Sequence, residues 1–272
     1  MVKILPAARR FPLMNMRRFH PVFLLSALLL TSLRADDLRV GMELSYPPFE
    51  MTDAQGKPSG ISVDIARELA KTLNRNLVVV NCEFDGLIPS LQSRSIDLIL
   101  SSLSITEERA KAVDFSIPYF APGVALLVGL HSPVQAADDL LSGKYRVAVK
   151  LGTTGHLWAR DHLPADKILV FNSADTAALE VGQGKADAFL YDQLSVLHYV
   201  QNAPDKCRGL YKPVLVQPWG IAVRKGNAAL LQQVNAFLAA FKADSRLNAL
   251  LSARLGKELA YFSGIGISLI PQ

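Results

Sequence analysis

Cysteine is nearly absent: Cys82 and Cys207 are the only two among 272 residues. Two sulfurs cannot form a disulfide framework, and with 125 positions between them they read as buried free thiols. The histidines His20, His131, His156, His162 and His198 are scattered, so no clustered ligand set points to a metal. Long apolar runs are missing as well. The longest, Pro21 to Leu33, has about a dozen residues where a membrane-spanning helix needs roughly 20. There is no Walker lysine pattern for a nucleotide, and no Gly-x-Ser-x-Gly elbow for a nucleophilic serine. Acidic residues are wholly lacking from residues 1–35, which carry Lys3, Arg9, Arg10, Arg17, Arg18 and Arg34. Those six belong to the 29 basic residues of the chain, against 24 acidic ones, so the +5 net charge sits in this segment and the remainder is almost neutral. A neutral body lacks the clustered Lys and Arg that phosphate neutralisation requires, which argues against nucleic acid as a partner.

The first segment has the parts of a secretory signal: a basic start, the apolar run, and Ala35 before Asp36-Asp37. Removal of residues 1–35 and a periplasmic destination are expected. The remaining chain is half hydrophobic in composition, enough for one large or two ordinary domains with real cores.

After Asp37 strand and helix patterns alternate. Leu38-Arg39-Val40 reads as a strand leading into Tyr46-Pro47-Pro48-Phe49, an extended turn. Residues 55–60 form a turn cluster, and from Ile61 a helix begins with Ile65, Leu69 and Leu73 on one face beside Ala66 and Ala70. Leu77 to Cys82 is a strand, 86–94 a short helix and 97–101 another strand. A second run repeats the order: strand Tyr145 to Val149, loop Lys150 to Gly155, helices at 155–163 and 172–184, and a strand from Ala186 to Tyr191. Such alternation implies an α/β fold with mostly parallel sheets flanked by helices. Pro118 to Gly123 and Gln217 to Gly220 read as two crossings between lobes. An amphipathic helix from Asn227 to Phe241 closes the pattern.

In open α/β sheets, ligands bind beyond the carboxyl ends of the strands. The residues just past each strand therefore form a candidate set: Glu43 and Tyr46; Phe84 and Asp85; Ser102, Ser104 and Arg109; Lys150, Thr153 and Thr154; Tyr191 and Asp192. The run from Ser101 to Arg109 is the densest in chemistry, with hydroxyls, a capped helix start and a guanidinium. A cation in a first helical turn opposes the macrodipole by roughly 0.3–1 kcal/mol. Either Glu107 or Glu108 compensates it, or a bound anion does. Arg and N–H groups for a carboxylate, an acid for an ammonium and an aromatic wall are the needs of a zwitterion. Each residue also has a plainer reading: Tyr46 and Phe84 as core aromatics, Asp192 as a helix cap, Lys150 as a solvated strand end, and His156 and His162 as surface positions.

Several stretches together resemble a known family. They are Tyr46-Pro47-Pro48-Phe49, Gly60 to Asp64, Phe84 to Leu91, Asp97 to Arg109, Val113 to Ser116 with Pro118-Tyr119, and Gly220 to Val223. In this order, from about Leu38 to Gly256, the chain resembles the periplasmic solute-binding proteins of polar-amino-acid ABC transporters. The resemblance implies a two-lobed, hinge-bending receptor with residues 36–122 plus 218–272 as lobe 1 and 123–217 as lobe 2. It implies that Arg109 clamps a ligand α-carboxylate with Ser102, Ser104 and Thr154, that Asp192 takes the α-ammonium, and that Tyr46 and Phe84 enclose the side chain. Glu43 stands where relatives often carry an aspartate that meets the ligand side chain, and Lys150 where they carry a lysine or an apolar residue. An acid alone at 43 suits a cationic side chain; a lysine facing the same pocket suits a neutral polar one. The implied partners are an amino acid and an inner-membrane permease, with the protein a monomer that needs no cofactor. The rival implied by the same scaffold is a periplasmic dehydratase acting on prephenate-like acids.

Overall fold

The computed structural model describes residues 36–270; the expected signal segment lies outside the described residues. Along the chain run β1 (Asp37–Met42), β2 (Ser45–Tyr46), β3 (Glu50–Thr52), β4 (Pro58–Ser59), α1 (Ile61–Thr72), β5 (Asn76–Asn81), α2 (Leu87–Gln92), β6 (Leu98–Ile99), α3 (Glu107–Ala112) and β7 (Val113–Phe115). Next come β8 (Gly123–Gly129), α4 (Ala137–Leu140), β9 (Val147–Lys150), α5 (Thr154–His162), β10 (Ile168–Phe171), α6 (Ala174–Gly182), β11 (Ala188–Asp192), α7 (Gln193–Asn202) and β12 (Cys207–Val216). The last elements are β13 (Ala222–Arg224), α8 (Ala228–Ala243) and α9 (Arg246–Gly264).

Two five-stranded sheets result, ordered β5-β1-β6-β13-β7 and β10-β9-β11-β8-β12, with a small ribbon β2-β3-β4 beside the first. Each sheet has a parallel half built from strand–helix–strand units: β1 with β5 and β6, and β9 with β10 and β11. The other half of each is antiparallel, β13 with β6 and β7, and β8 with β11 and β12. The sheets are thus more mixed than strand–helix alternation predicts. The reason is topological: β8 and β12 carry the chain into and out of the second sheet, and β13 returns it to the first.

Local sequence explains the well-read elements. Leu38, Val40 and Met42 of β1 are fully buried at alternate positions. Ile61, Ile65, Leu69, Ala66 and Ala70 form the buried face of α1. Each such large apolar side chain stabilises the fold by about 1.5–3 kcal/mol. In the second sheet Ala148 and Phe189 are buried in one cluster with Ala177, Ala178 and Val181 of α6, and Val147, Val149 and Leu190 in another with Ala159 of α5. The expected face of α8 holds, with Leu230, Val234, Phe237, Leu238 and Phe241 buried. The chain does not close there. Ser245 takes a left-handed conformation at φ 58° and reverses the chain into α9, which buries Leu247, Leu251, Leu255 and Phe262.

Gly60 stands before α1 at φ 118°, and a Cβ there would lie 2.3 Å from the Phe49 carbonyl oxygen. Gly60→Ala is therefore expected to destabilise the protein by about 1–3 kcal/mol, read as a lowered melting temperature.

The two crossings between the sheets are joined to each other. Trp219 N–H donates to the Phe120 carbonyl at 2.7 Å, and Tyr119 N–H to the Trp219 carbonyl at 2.9 Å. The Trp219 ring packs on Phe49 (centroids 4.9 Å), Phe120 (5.2 Å) and Tyr46 (5.9 Å). Cys82 and Cys207 are both free; Cys207 is buried as expected, while Cys82 at the end of β5 is only half-buried.

Candidate functional site

The carboxyl ends of β1, β6, β9 and β11 face a common cleft, beside the crossings, with an enclosed space of about 560 Å³ including its open mouth. Glu43, Tyr46, Phe84, Ser102, Ser104, Arg109, Thr154 and Asp192 line it. Lys150, the last residue of β9, is buried at its floor and ion-paired with Glu43. All nine candidate residues are thereby brought together, from segments up to 149 positions apart in sequence.

Arg109 owes its place to the capped start of α3. Thr106 Oγ1 accepts from the Arg109 N–H at 3.1 Å, fixing the first turn. The side chain turns away from Glu107 and Glu108, which are exposed; Glu108 approaches Arg160 instead, at 3.6 Å. Arg109 Nη1 donates to the Ser104 carbonyl at 2.8 Å, and Nη2 to the Gly152 carbonyl of the second sheet's loop at 2.9 Å. Among the described residues no carboxylate forms an ion pair with this guanidinium. Burial pushes its pKa down to about 10, with the charge of Glu108 acting in the other direction. Neither first-turn acid pairs with the guanidinium, and three N–H donors of a desolvated cation remain for something else.

Phe84 forms one wall. The guanidinium of Arg109 lies 5.5 Å from its ring centroid and the Lys150 ammonium 5.7 Å, so one ring faces two cations. Opposite, Asp192 caps α7 by accepting the Ser195 N–H at 3.0 Å and still lines the cleft. The cap uses one carboxylate oxygen, Oδ1. Burial raises its pKa. Tyr46 is 8% exposed and its hydroxyl makes no hydrogen bond; the phenol is pushed well up by burial first and the charge of Asp192 second.

The loop after β9 turns at Gly152, φ 74°. Thr153 caps α5 and donates from Oγ1 to the Lys150 carbonyl at 2.8 Å, which leaves Thr154 and Gly155 at the helix start facing the cleft.

Glu50, the first residue of β3, was not singled out by the sequence pattern. It is 1% exposed, lines the cleft, and accepts hydrogen bonds from Ser62 at 2.6 Å, Ser101 at 3.2 Å and Ser102 at 3.2 Å. Its pKa is raised to about 8, by burial above all, with the serine hydroxyls opposing and the charge of Glu43 adding to the rise. The available signal was an acid directly after Tyr46-Pro47-Pro48-Phe49, in a stretch otherwise destined for the interior. Ser102 sits at φ 49°, a left-handed conformation for a residue with a side chain, of the kind that clusters at functional sites.

Residues 38–256 match the family model of bacterial extracellular solute-binding proteins, family 3. The chain belongs to that family. Among its relatives, the L-cystine-binding protein TcyJ of Escherichia coli K12 is 34% identical over 224 residues, covering 82% of this chain and 84% of that protein. A mutant of ArgBP from T. maritima is 36% identical with a TM-score of 0.74, covering 81% of this chain and 95% of that one. An ancestral amino-acid-binding protein described as a precursor of cyclohexadienyl dehydratase is 35% identical with a TM-score of 0.73, over 80% and 94% of the two chains. These family-3 relatives are named as binding proteins. Among the described residues of this family member no helix is long and apolar enough to cross a membrane, and no group of three or more His, Cys, Asp or Glu is placed to hold a metal.

Proposed function

We propose that this protein binds a polar amino acid in the periplasm, after loss of residues 1–35, and delivers it as a monomer to the inner-membrane permease of an ABC transporter. The observation that carries this reading is Arg109: a buried guanidinium with two donors on carbonyls, no carboxylate partner among the described residues, and an acid, Asp192, across the cleft. A zwitterion supplies the group each lacks, its carboxylate for Arg109 with the hydroxyls of Ser102, Ser104 and Thr154, its ammonium for Asp192. Arg109 and Asp192 belong to opposite sheets, so a ligand satisfies both only when residues 36–122 with 218–272 close on residues 123–217 about the two crossings. Such split contacts give the ligand its differential affinity for the closed form.

The side-chain class is set by Lys150. Because its ammonium already neutralises Glu43, the distal pocket carries no spare negative charge, and an uncharged polar side chain such as that of glutamine suits it better than arginine. Tyr46 and Phe84 enclose the aliphatic part of the ligand.

A thermal-shift screen of residues 36–272 against the twenty amino acids and L-cystine tests the reading. A ligand at about 100-fold its Kd adds roughly 2.7 kcal/mol, hence a rise of about 5–10 °C for a chain of this size. The rise is expected with one or a few neutral polar amino acids; no rise with any of them sinks the assignment.

A further inference from the structure

Three serines converge on Glu50 in the cleft wall, and the hydroxyl protons of those serines do not have equal freedom. Ser62 is fully buried and its Oγ has Glu50 Oε2 as its single partner among the described residues, so its proton has no other acceptor. Ser101 is 1% exposed; its Oγ accepts from the Glu43 N–H at 2.9 Å and reaches Glu50 Oε1, again with no second acceptor for its proton among the described residues. Ser102 is half-buried and lines the cleft while also contacting Glu50 Oε2.

A carboxylate at Glu50 accepts from all three hydroxyls and leaves Ser102 with lone pairs alone for the cleft. A carboxylic acid must donate its own proton, and Ser102 is the one serine that can receive it and pass its own hydrogen elsewhere. We propose that Glu50 is a positioning residue that, in its acid form, donates to Ser102 and so turns the Ser102 hydroxyl into a donor aimed at the ligand carboxylate beside Arg109. The proposal rests on the amino-acid reading of the cleft. Ligand binding then requires the Glu50 proton, and affinity falls as pH rises through the titration of that group.

The surroundings fit this role. No cation forms an ion pair with Glu50 among the described residues. Glu43, the nearby acid, pushes its pKa up, and burial places the titration at about 8. Lys150 is held on Glu43. The Tyr119 and Tyr191 phenols face the same carboxyl, are kept protonated first by burial, and have the charge of Glu50 among the further causes. The Tyr119 hydroxyl has no partner in hydrogen-bond geometry, but Ser62 and Ser102 lie close enough to oppose the rise that burial causes. Arg109 and Asp192 share the cleft, and burial raises the Asp192 pKa.

The experiment is calorimetric titration with L-glutamine at pH 7 and pH 9, at pH 9 in two buffers that hold that pH and differ in ionisation enthalpy, such as borate and Tris. Wild type is expected to bind about tenfold more weakly at pH 9 than at pH 7, beyond the loss due to the ligand's own ammonium, and to take up about one further proton per glutamine at pH 9. Glu50→Gln, which has no proton to lose, keeps only the ammonium component of the fall whatever its affinity at pH 7. Ser102→Ala binds more weakly at pH 7 and likewise lacks the extra step. Wild type and Glu50→Gln sharing one profile, or a step that persists in Ser102→Ala, overturns the inference alone. Failure of wild type to bind L-glutamine, L-cystine or L-arginine at pH 7 overturns the amino-acid reading and this one with it.

Discussion

Arg109→Ala is expected to weaken amino-acid binding by about a thousandfold while leaving the unliganded protein folded. Truncating one partner of a buried, hydrogen-bonded charge pair costs about 2–5 kcal/mol, much of it the penalty of a carboxylate left without its counter-charge. The unliganded protein is a different matter. There the guanidinium has no anion to neutralise it, and its pKa, pushed down to about 10 by burial, records how unfavourable that cation is. Removing it deletes two hydrogen bonds to carbonyls, Ser104 and Gly152, and also removes a desolvated charge. The two effects oppose each other, so the melting temperature without ligand shifts by a few degrees in either direction. Arg109→Lys keeps the charge and loses the fork; a loss of about ten- to a hundredfold is expected. Calorimetric titration reads both variants. Arg109→Ala binding within about fivefold of wild type would remove the carboxylate clamp from the mechanism.

The legibility of this site in the sequence tracks the range of the forces that build it. β1, α1 and α6 were readable because their burial follows a period of two or 3.6 over a few residues, and β9 because a short apolar run is buried at every position. Arg109 was readable because Thr106 and the two first-turn acids mark a helix start around a cation that does not belong there. The strand-end rule then offered twelve residues without any knowledge of their partners, and the family resemblance gave ligand roles to nine of them. The features it missed are non-local. The pairing of Lys150 with Glu43 joins residues 107 positions apart in two sheets, and neither residue's neighbours announce it. Glu50 was passed over because one acid after a Pro-Pro turn looks like surface; its burial comes from Ser62 on α1 and Ser101 and Ser102 beyond β6. α9 escaped for a different reason. Its buried positions run 247, 251, 255 and then 262, and the helix is interrupted at Leu255, so no single apolar stripe persists.

The buried ion pair yields the second large effect. In Lys150→Met the Glu43 carboxylate remains 6% exposed with no other cation forming an ion pair to it among the described residues. Breaking a buried pair from one side costs about 3–5 kcal/mol, whereas replacing both partners by neutral groups is often neutral or stabilising. Lys150→Met is therefore expected to melt well below wild type, and Glu43→Gln with Lys150→Met to recover most of the loss. Selectivity should change in parallel: with Lys150 gone, a ligand guanidinium can take its place beside Glu43 and over Phe84, so L-arginine should raise the melting temperature of the variant more than L-glutamine does, the reverse of wild type. The second cation over that ring, Arg109, is unaffected because its carbonyl partners lie elsewhere. If Lys150→Met keeps both the wild-type melting temperature and the wild-type preference, the ion pair neither supports the closed cleft nor selects the ligand's charge.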